Sequence, residues 1–412
     1  MPPSMRSSTR GCTPCGWVWR SLRSQRCSYS SAARSAFLSP DRLRYMDVPI
    51  SGHCDPHFER VREAFVANFA ERGEVGAAVC IQVHGETVVD LVGGWADEAR
   101  TRPWQHDTIV DFYSVGKAIV ATLALRAIDQ GLIGLDDPIA SIWPEFAAHG
   151  KDRATIRHAL CHQAGVPAIR EPLTNDDLYD WDRMVAALAA TEPWFTPGTR
   201  HVYHTNTYGH LVGGIVQHAV LFADVGMQLR AICGPLGADL WFGVPATEQH
   251  RCADVIWAAD STIHESEDMV VRGYFNPPGY SSHGVVNTPQ WRAAQVPSAN
   301  GHGSANGVAR LYAAIIDGRL LSADLLAEAT RPQSSGPCPV LGEDVTFGLG
   351  FVPTSERRPL GPNPRAFGHF GTGGALGFGD PDAGIAFGYV MNHVIPRWQS
   401  TRNRALIEAL YN

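Results

Sequence analysis

DFYSVGKAIV, residues 111–120, carries Lys117, one of two lysines in a 412-residue chain whose Lys and Arg together number 34. The other is Lys151, so every remaining basic position of that count is arginine. A position that keeps lysine against such a bias calls for something arginine cannot supply. Ser114 stands three residues before Lys117. From Ser114 the run SVGKAIVATLALRAIDQG has helical spacing, with Ser114 at the N-terminus and Gly131 as the end signal. Residues i and i+3 of a helix share a face, with Cβ atoms roughly 5–6 Å apart. A serine hydroxyl is a weak nucleophile until a base takes its proton. A lysine serves as that base when burial and neighbouring positive charge lower its pKa, whereas an arginine does not deprotonate in proteins. The helix N-terminus adds a favourable field for the anion formed in acyl transfer. Alone, S-x-x-K also fits a serine helix cap followed by an ordinary lysine. Lys151, in HGKDRAT, has no such serine and is expected to be a solvated loop residue.

Outward from this stretch, FERVREAFVANFAER (58–72) has the apolar spacing of a helix. GAAVCIQV and ETVVDLVGG, joined by His84 and Gly85, predict a hairpin. Residues 132–300 are rich in Pro and Gly and mainly helical in pattern, with candidate helices at 176–191 and 205–220. VARLYAAIIDG (308–318) is amphipathic, and VTFGLGFV, RAFGHF, ALGFGD and GIAFGYVMN follow as short β-like runs before a last helix in WQSTRNRALIEALYN. The expected class is α/β: an antiparallel sheet built from both chain ends and flanked by helices, with a mainly helical lobe inserted at about 132–300. No internal repeat is present.

Two further stretches hold candidate site residues. In PGTRHVYHTNTYGHLVGGIV (197–216), Tyr203 precedes a helix expected to start near Asn206. A tyrosinate close to positive groups can shuttle a proton; a packed core tyrosine is the plainer fate. His201, His204 and His210 lie here too, but not in H-E-x-x-H spacing, so no metal is expected. In RAFGHFGTGGALGFGDPDAGIAFGYVMN (365–392), Gly368, Gly371, Gly373 and Gly374 crowd the end of a strand, where a backbone N–H can face an oxyanion. The chain has no G-K-[ST] phosphate loop, no dinucleotide fingerprint and no G-x-S-x-G elbow, and no cofactor is expected. His283 and His302 sit in glycine-rich loops that could line the site, although turn histidines are the simpler account; Trp291 and Asn300 carry no assignment.

A net charge of −7 without a basic stripe outside the N-terminus argues against a nucleic-acid partner. No apolar run reaches the roughly 20 residues needed to span a bilayer. Nine scattered cysteines, with Cys12 and Cys15 lacking a second pair at finger spacing, suggest a reduced intracellular chain. Residues 1–45 are Arg- and Ser-rich with Asp41 as their one acid. Met46 opens a run that reads as a natural start, so 1–45 is taken as an extension from an early start and 46–412 as the functional domain, in the cytoplasm. A mitochondrial transit peptide is the alternative.

Taken in order, YSVGKAIVATLALRAIDQGLIGLDDPI, WPEFAAHGKDRATIRHALCHQAGVP, PGTRHVYHTNTYGHLVG, SANGHGSANGVARLYAA and FGHFGTGGALGFGDPDAGIAFGYVMN resemble the serine β-lactamase and penicillin-binding superfamily. Within it the chain looks most like the class C β-lactamase-related, family VIII carboxylesterases, over about 50–412. The resemblance implies a β-lactamase/transpeptidase-like fold. It implies Ser114 as the acylated nucleophile, Lys117 as its base and Tyr203 as the proton shuttle. The N–H groups of Ser114 and Thr372 would form the oxyanion hole, and His369, Phe370, Gly371 and Asn206 would bind substrate. Two departures stand out. The β-lactamase Tyr-x-Asn reads Tyr203-His204-Thr205 here, with Asn206 displaced by one, and Lys-Thr-Gly reads His369-Phe370-Gly371. Both are what the esterase branch shows. The implied activity is hydrolysis of a small-molecule carboxylic ester, of short acyl chain as that branch favours, through a Ser114 acyl-enzyme. β-Lactamase, D-amino-acid peptidase and acyltransferase activities are the rivals, and a non-catalytic scaffold the reading from another class.

Overall fold

The computed structural model describes residues 48–221, 223–258, 268–395 and 400–412. The 1–45 extension lies outside the described residues.

β1 (Ile50–Cys54) is followed by α1 (Glu59–Glu71), which buries Val61, Phe65, Asn68 and Phe69 on one face. The hairpin expected next is β2 (Gly76–Val83) and β3 (Glu86–Gly94). His84 and Gly85 both take positive φ, 48° and 82°, as a two-residue hairpin turn with the right twist requires. β4 (Val110–Asp111) leads into α2 (Val115–Asp129). α2 ends as its sequence predicts: Gly131 has φ 70°, its N–H bonds the Ile128 carbonyl, and Leu132 N–H bonds Ala127. Every α2 residue from Val115 to Leu125 is buried, so this helix runs through the interior rather than along the surface.

Between α2 and residue 300 lie α3 (Ile156–Leu160), α4 (Asn175–Leu178), α5 (Trp181–Ala190), α6 (Thr207–Ala219), α7 (Val225–Leu236), α8 (Asp268–Phe275) and α9 (Pro289–Ala293), with β5 (Leu240–Trp241) and β6 (Ile256–Trp257). The single helix expected over 176–191 is two. Asp180 breaks it, because its carboxylate accepts the Arg183 N–H and caps α5. Lys151 is also not solvated: it is fully buried, and its amine donates to the Ala148 and Thr191 carbonyls at 2.7 and 2.6 Å. It tethers the Ala148–Lys151 turn, where His149 and Gly150 take positive φ, to the end of α5.

β7 (His302–Gly303), α10 (Ala305–Ile316), α11 (Ala323–Thr330), β8 (Ser334–Cys338), β9 (Glu343–Phe347), β10 (Val352–Pro353), β11 (Phe367–Phe370), β12 (Leu376–Asp380), β13 (Ile385–Met391), β14 (His393–Val394) and α12 (Thr401–Tyr411) complete the described chain. Among the described residues, seven strands form one antiparallel sheet in the order β1-β3-β2-β13-β12-β11-β10. Its first three strands precede residue 95 and its last four follow residue 351, so the two chain ends do build one sheet. β13 is the seam, with Gly388 opposite Cys80 on β2 and Gly377 on β12. α10 packs directly on this seam: a Cβ on Gly388 would sit 2.2 Å from the Ala305 carbonyl oxygen, so only glycine admits the helix at that distance. α1 and α12 pack together, and the Tyr389 hydroxyl of β13 donates to Glu74 beyond α1. α2 packs against α6 and against β11. That placement gathers the residues of three distant sequence stretches at the N-terminal end of α2.

Candidate active site

Ser114 takes the N-cap position of α2 but makes no capping hydrogen bond, so its hydroxyl serves something other than the helix end. Lys117, one turn on, places Nζ 2.8 Å from Ser114 Oγ and 3.0 Å from the Ser298 carbonyl oxygen. Lys117 is fully buried and Ser114 is 6% exposed. Burial holds the Lys117 amine well below its ordinary value, and no carboxylate pairs with it among the described residues. A neutral amine beside a hydroxyl is an acceptor for that hydroxyl's proton.

The turn that presents Ser114 is built by its neighbours. Tyr113 has φ 51°, an uncommon left-handed conformation for an aromatic residue. Its N–H donates to Asp111 Oδ1 at 2.8 Å, and Trp291 Nε1 donates to Asp111 Oδ2 at 3.2 Å. Asp111 is fully buried, and burial raises its pKa well above the carboxylate range against the pull of these two donors. Ser298, the acceptor for Lys117, is held in turn. Its hydroxyl accepts the Gly209 N–H from α6, while Asn300 accepts from Val296 N–H and donates to the Trp291 and Ala294 carbonyls. Asp111 and Ser298 carry no signal in the sequence, and Asn300 and Trp291 carry no assignment there; their side chains hold the backbone around Ser114 and Lys117, a role that residue type alone does not announce.

Tyr203 is 1% exposed, and its ring lies 4.9 Å from Lys117 Nζ. Burial raises the Tyr203 pKa well above the phenol value, and Ser114 beside it offsets only part of the shift. The resting group is therefore a neutral phenol, not the tyrosinate considered from sequence. Thr205 and Asn206 follow it. Asn206 is buried, and its amide donates to the Gly273 carbonyl of α8 at 2.9 Å, a structural tie.

β11 brings the third stretch. His369 is 1% exposed, its Nδ1 lies 2.8 Å from the Phe370 carbonyl, and its ring stacks at 6.4 Å on Tyr203. Burial first, then the nearby Lys117, pushes its pKa down to about 3, so this imidazole is neutral. Phe370 is fully buried, and its ring belongs to the core. Gly371 passes the turn before Ser114 so closely that a Cβ would lie 2.3 Å from the Phe112 carbonyl oxygen. Thr372 opens the short turn Thr372–Gly374, which α12 braces through Asn403 Nδ2 on the Gly374 carbonyl. Among the described residues the Ser114 N–H meets no protein acceptor.

The histidines outside this cluster are structural in geometry. His302 is buried in β7 with Nδ1 on the Asn300 carbonyl, and His283 stacks on Trp257 at 4.1 Å. His201 meets Ser334, His204 meets Val202 and Val166, and His210 meets Tyr280. No His, Cys, Asp or Glu cluster able to hold a metal occurs among the described residues. No described helix is long and apolar enough to cross a membrane.

Comparison with known proteins accords with this arrangement. The beta-lactamase family model matches residues 61–411. Esterase/beta-lactamase LipL of Mycobacterium tuberculosis is 34% identical over 365 residues, covering 84% of this chain and 83% of LipL. Esterase EstB of Burkholderia gladioli is 26% identical over 388 residues, covering 85% of this chain and 94% of EstB. A solved family VIII carboxylesterase shares the fold with a TM-score of 0.82 at 39% identity, covering 88% of this chain and 99% of its own. A penicillin-binding protein homologue from Caulobacter crescentus also gives 0.82, at 38% identity, covering 88% of this chain and 98% of its own. With the family matched from α1 to α12 and the fold shared over nearly nine-tenths of its length, this chain belongs to the beta-lactamase family.

Proposed function

We propose that this protein is a serine carboxylesterase, and that Ser114, Lys117 and Tyr203 carry the reaction. The observation that bears most weight is the 2.8 Å contact between Ser114 Oγ and a fully buried Lys117 amine that no anion among the described residues holds protonated. Ser114 Oγ attacks the ester carbonyl carbon while its proton passes to Lys117 Nζ. The oxyanion settles on the N–H groups of Ser114 and Thr372. The C–O bond to the alcohol breaks, the departing oxygen takes a proton through Tyr203, and Tyr203 is reprotonated from Lys117. Water then attacks the acyl-enzyme, giving up a proton along the same groups. A carboxylic acid leaves, and Ser114 regains its hydroxyl. No cofactor enters this sequence.

Esters are favoured over β-lactams for an electrostatic reason. Recognition of a β-lactam carboxylate wants a cation at the third motif, and the imidazole of His369 is neutral there. Arg358, whose charge reaches Tyr203 and His369, already pairs with Glu343. The esterase names of LipL and EstB support the same choice. Short acyl chains are our expected substrates, with Asn206 and the backbone of His369, Phe370 and Gly371 bordering them. We also place the enzyme in a reducing compartment, as the unpaired Cys80, Cys161, Cys233, Cys252 and Cys338 support. Hydrolysis of p-nitrophenyl acetate and butyrate beside nitrocefin, by wild type and Ser114→Ala, tests the proposal. Ester turnover that vanishes with Ser114→Ala, with little nitrocefin cleavage, is the expected result. A folded wild type inert towards both esters overturns it.

A further inference from the structure

His162 is a buried histidine that the reaction above does not use. It follows α3, is 1% exposed, and takes a left-handed φ of 66°. Three successive backbone N–H groups surround Tyr203, and each has a defined acceptor. Val202 N–H donates to the His162 carbonyl at 3.0 Å, Tyr203 N–H to Cys338 Sγ at 3.3 Å, and His204 N–H to His162 Nδ1 at 3.1 Å. One residue thus grips the chain on both sides of Tyr203. Its ring also packs on the Tyr203 ring at 4.9 Å, on Tyr208 at 4.6 Å and on Phe347 at 4.4 Å, while Phe347 stacks on Tyr203 at 5.7 Å. Because Nδ1 accepts, the neutral ring carries its proton on Nε2. Burial, with His204, Lys117, His369 and His201 nearby, keeps the ring neutral. Protonation at Nδ1 would expel the His204 N–H.

We propose that His162 is a positioning residue that clamps the Val202–His204 backbone so that the Tyr203 ring and hydroxyl stay beside Ser114 and Lys117. The inference rests on Tyr203 as the group that protonates the departing alcohol. Loss of a proton donor matters most when the leaving group is a poor one, and misplacement by about 1 Å costs on the order of 100-fold.

The test uses one acyl group on two alcohols: p-nitrophenyl butyrate, whose phenolate leaves unaided, and ethyl butyrate, whose alkoxide needs a proton. His162→Gly accepts the left-handed φ and His162→Phe refills the ring volume; neither offers Nδ1. Either one, once its unfolding midpoint shows it to be folded, decides the matter. We expect kcat/KM, which reports acylation and not the shared deacylation step, to fall about 100-fold on ethyl butyrate and less than about threefold on p-nitrophenyl butyrate. His162→Asn tolerates a left-handed φ and offers Oδ1, and should restore most of the ethyl butyrate rate. Adding Tyr203→Phe to the Gly or Phe variant should cost no more than Tyr203→Phe alone. Equal losses on both esters, including in the Asn variant, or losses that multiply with Tyr203→Phe, overturn the clamp. If Tyr203→Phe itself lowers kcat/KM equally on both esters, the proton-shuttle assignment falls instead.

Discussion

At residue 117 the choice between two cations is a choice about protonation. Burial with no anionic partner among the described residues lowers the Lys117 pKa well below its ordinary value of 10.5, and a base must be deprotonated to act. The sign follows: ester turnover should rise with pH through the lowered Lys117 pKa and level off above it. Lys117→Arg keeps a cation that never gives up its proton, so it should lose about 10²–10⁴-fold in kcat across the whole range. A pH profile of p-nitrophenyl acetate turnover for both proteins reads this. A Lys117→Arg protein within a few-fold of wild type would remove Lys117 from the role of base. The scarcity of lysine pointed at this position from sequence, and it pointed equally at Lys151. Both are buried, for different reasons. Lys151 donates to two carbonyls, and burial lowers its pKa to about 8. Composition registers that a free amine is kept; only the fold says whether it meets a hydroxyl or a pair of carbonyls.

Between β4 and α2, the two residues Phe112 and Tyr113 decide where Ser114 points. Tyr113 in a left-handed conformation costs on the order of 1–3 kcal/mol and persists only if its surroundings insist on it. Asp111 does so by accepting the Tyr113 N–H while tied to Trp291. Asp111→Ala leaves two buried donors unsatisfied, at about 1–3 kcal/mol each. We expect a lower unfolding midpoint and a kcat on p-nitrophenyl acetate reduced about tenfold or more, with KM little changed. Tyr113→Gly in the Asp111→Ala background should recover part of kcat, because glycine holds φ 51° without a brace. No recovery in a folded double variant would mean that Asp111 serves packing alone. The sequence disclosed the elements on either side of this turn, since hydrophobic spacing and the Gly131 stop are local signals. It did not disclose the turn, nor the 291–300 loop that carries Ser298, because their conformations are imposed by partners distant in the chain. The same cause divided the expected 176–191 helix, where the Asp180 cap outweighs the apolar periodicity running through it.

Across the whole molecule, the sheet is closed by contact between the chain's two ends, and one buried ion pair marks the junction. Arg402 on α12 and Glu74 after α1, 328 residues apart, meet at 3.0 Å with side chains 1% and 0% exposed. Arg402 also donates to the carbonyls of Arg72, Gly73 and His393, and Tyr389 of the seam strand donates to Glu74. That both ends share a sheet was legible from β-like runs near each of them; that a charged pair would lie sealed between them was not, since charges usually mark solvated faces. Burial raises the Glu74 pKa above 4.5, and Arg402 is the largest influence restraining that rise. A carboxyl whose folded pKa lies above its unfolded one loses stability as pH climbs from the unfolded value through the folded value. Arg402→Met removes the restraint and deepens that loss. The variant should therefore be destabilised by about 3–5 kcal/mol well above the folded Glu74 pKa, with the deficit shrinking as pH falls towards 4.5. Glu74→Gln in the same background should remove the pH dependence and return part of the stability. Urea unfolding of wild type and both variants over a pH series measures this. A deficit that stays constant with pH would mean that Arg402 holds the chain ends through its three carbonyl partners rather than through the charge on Glu74.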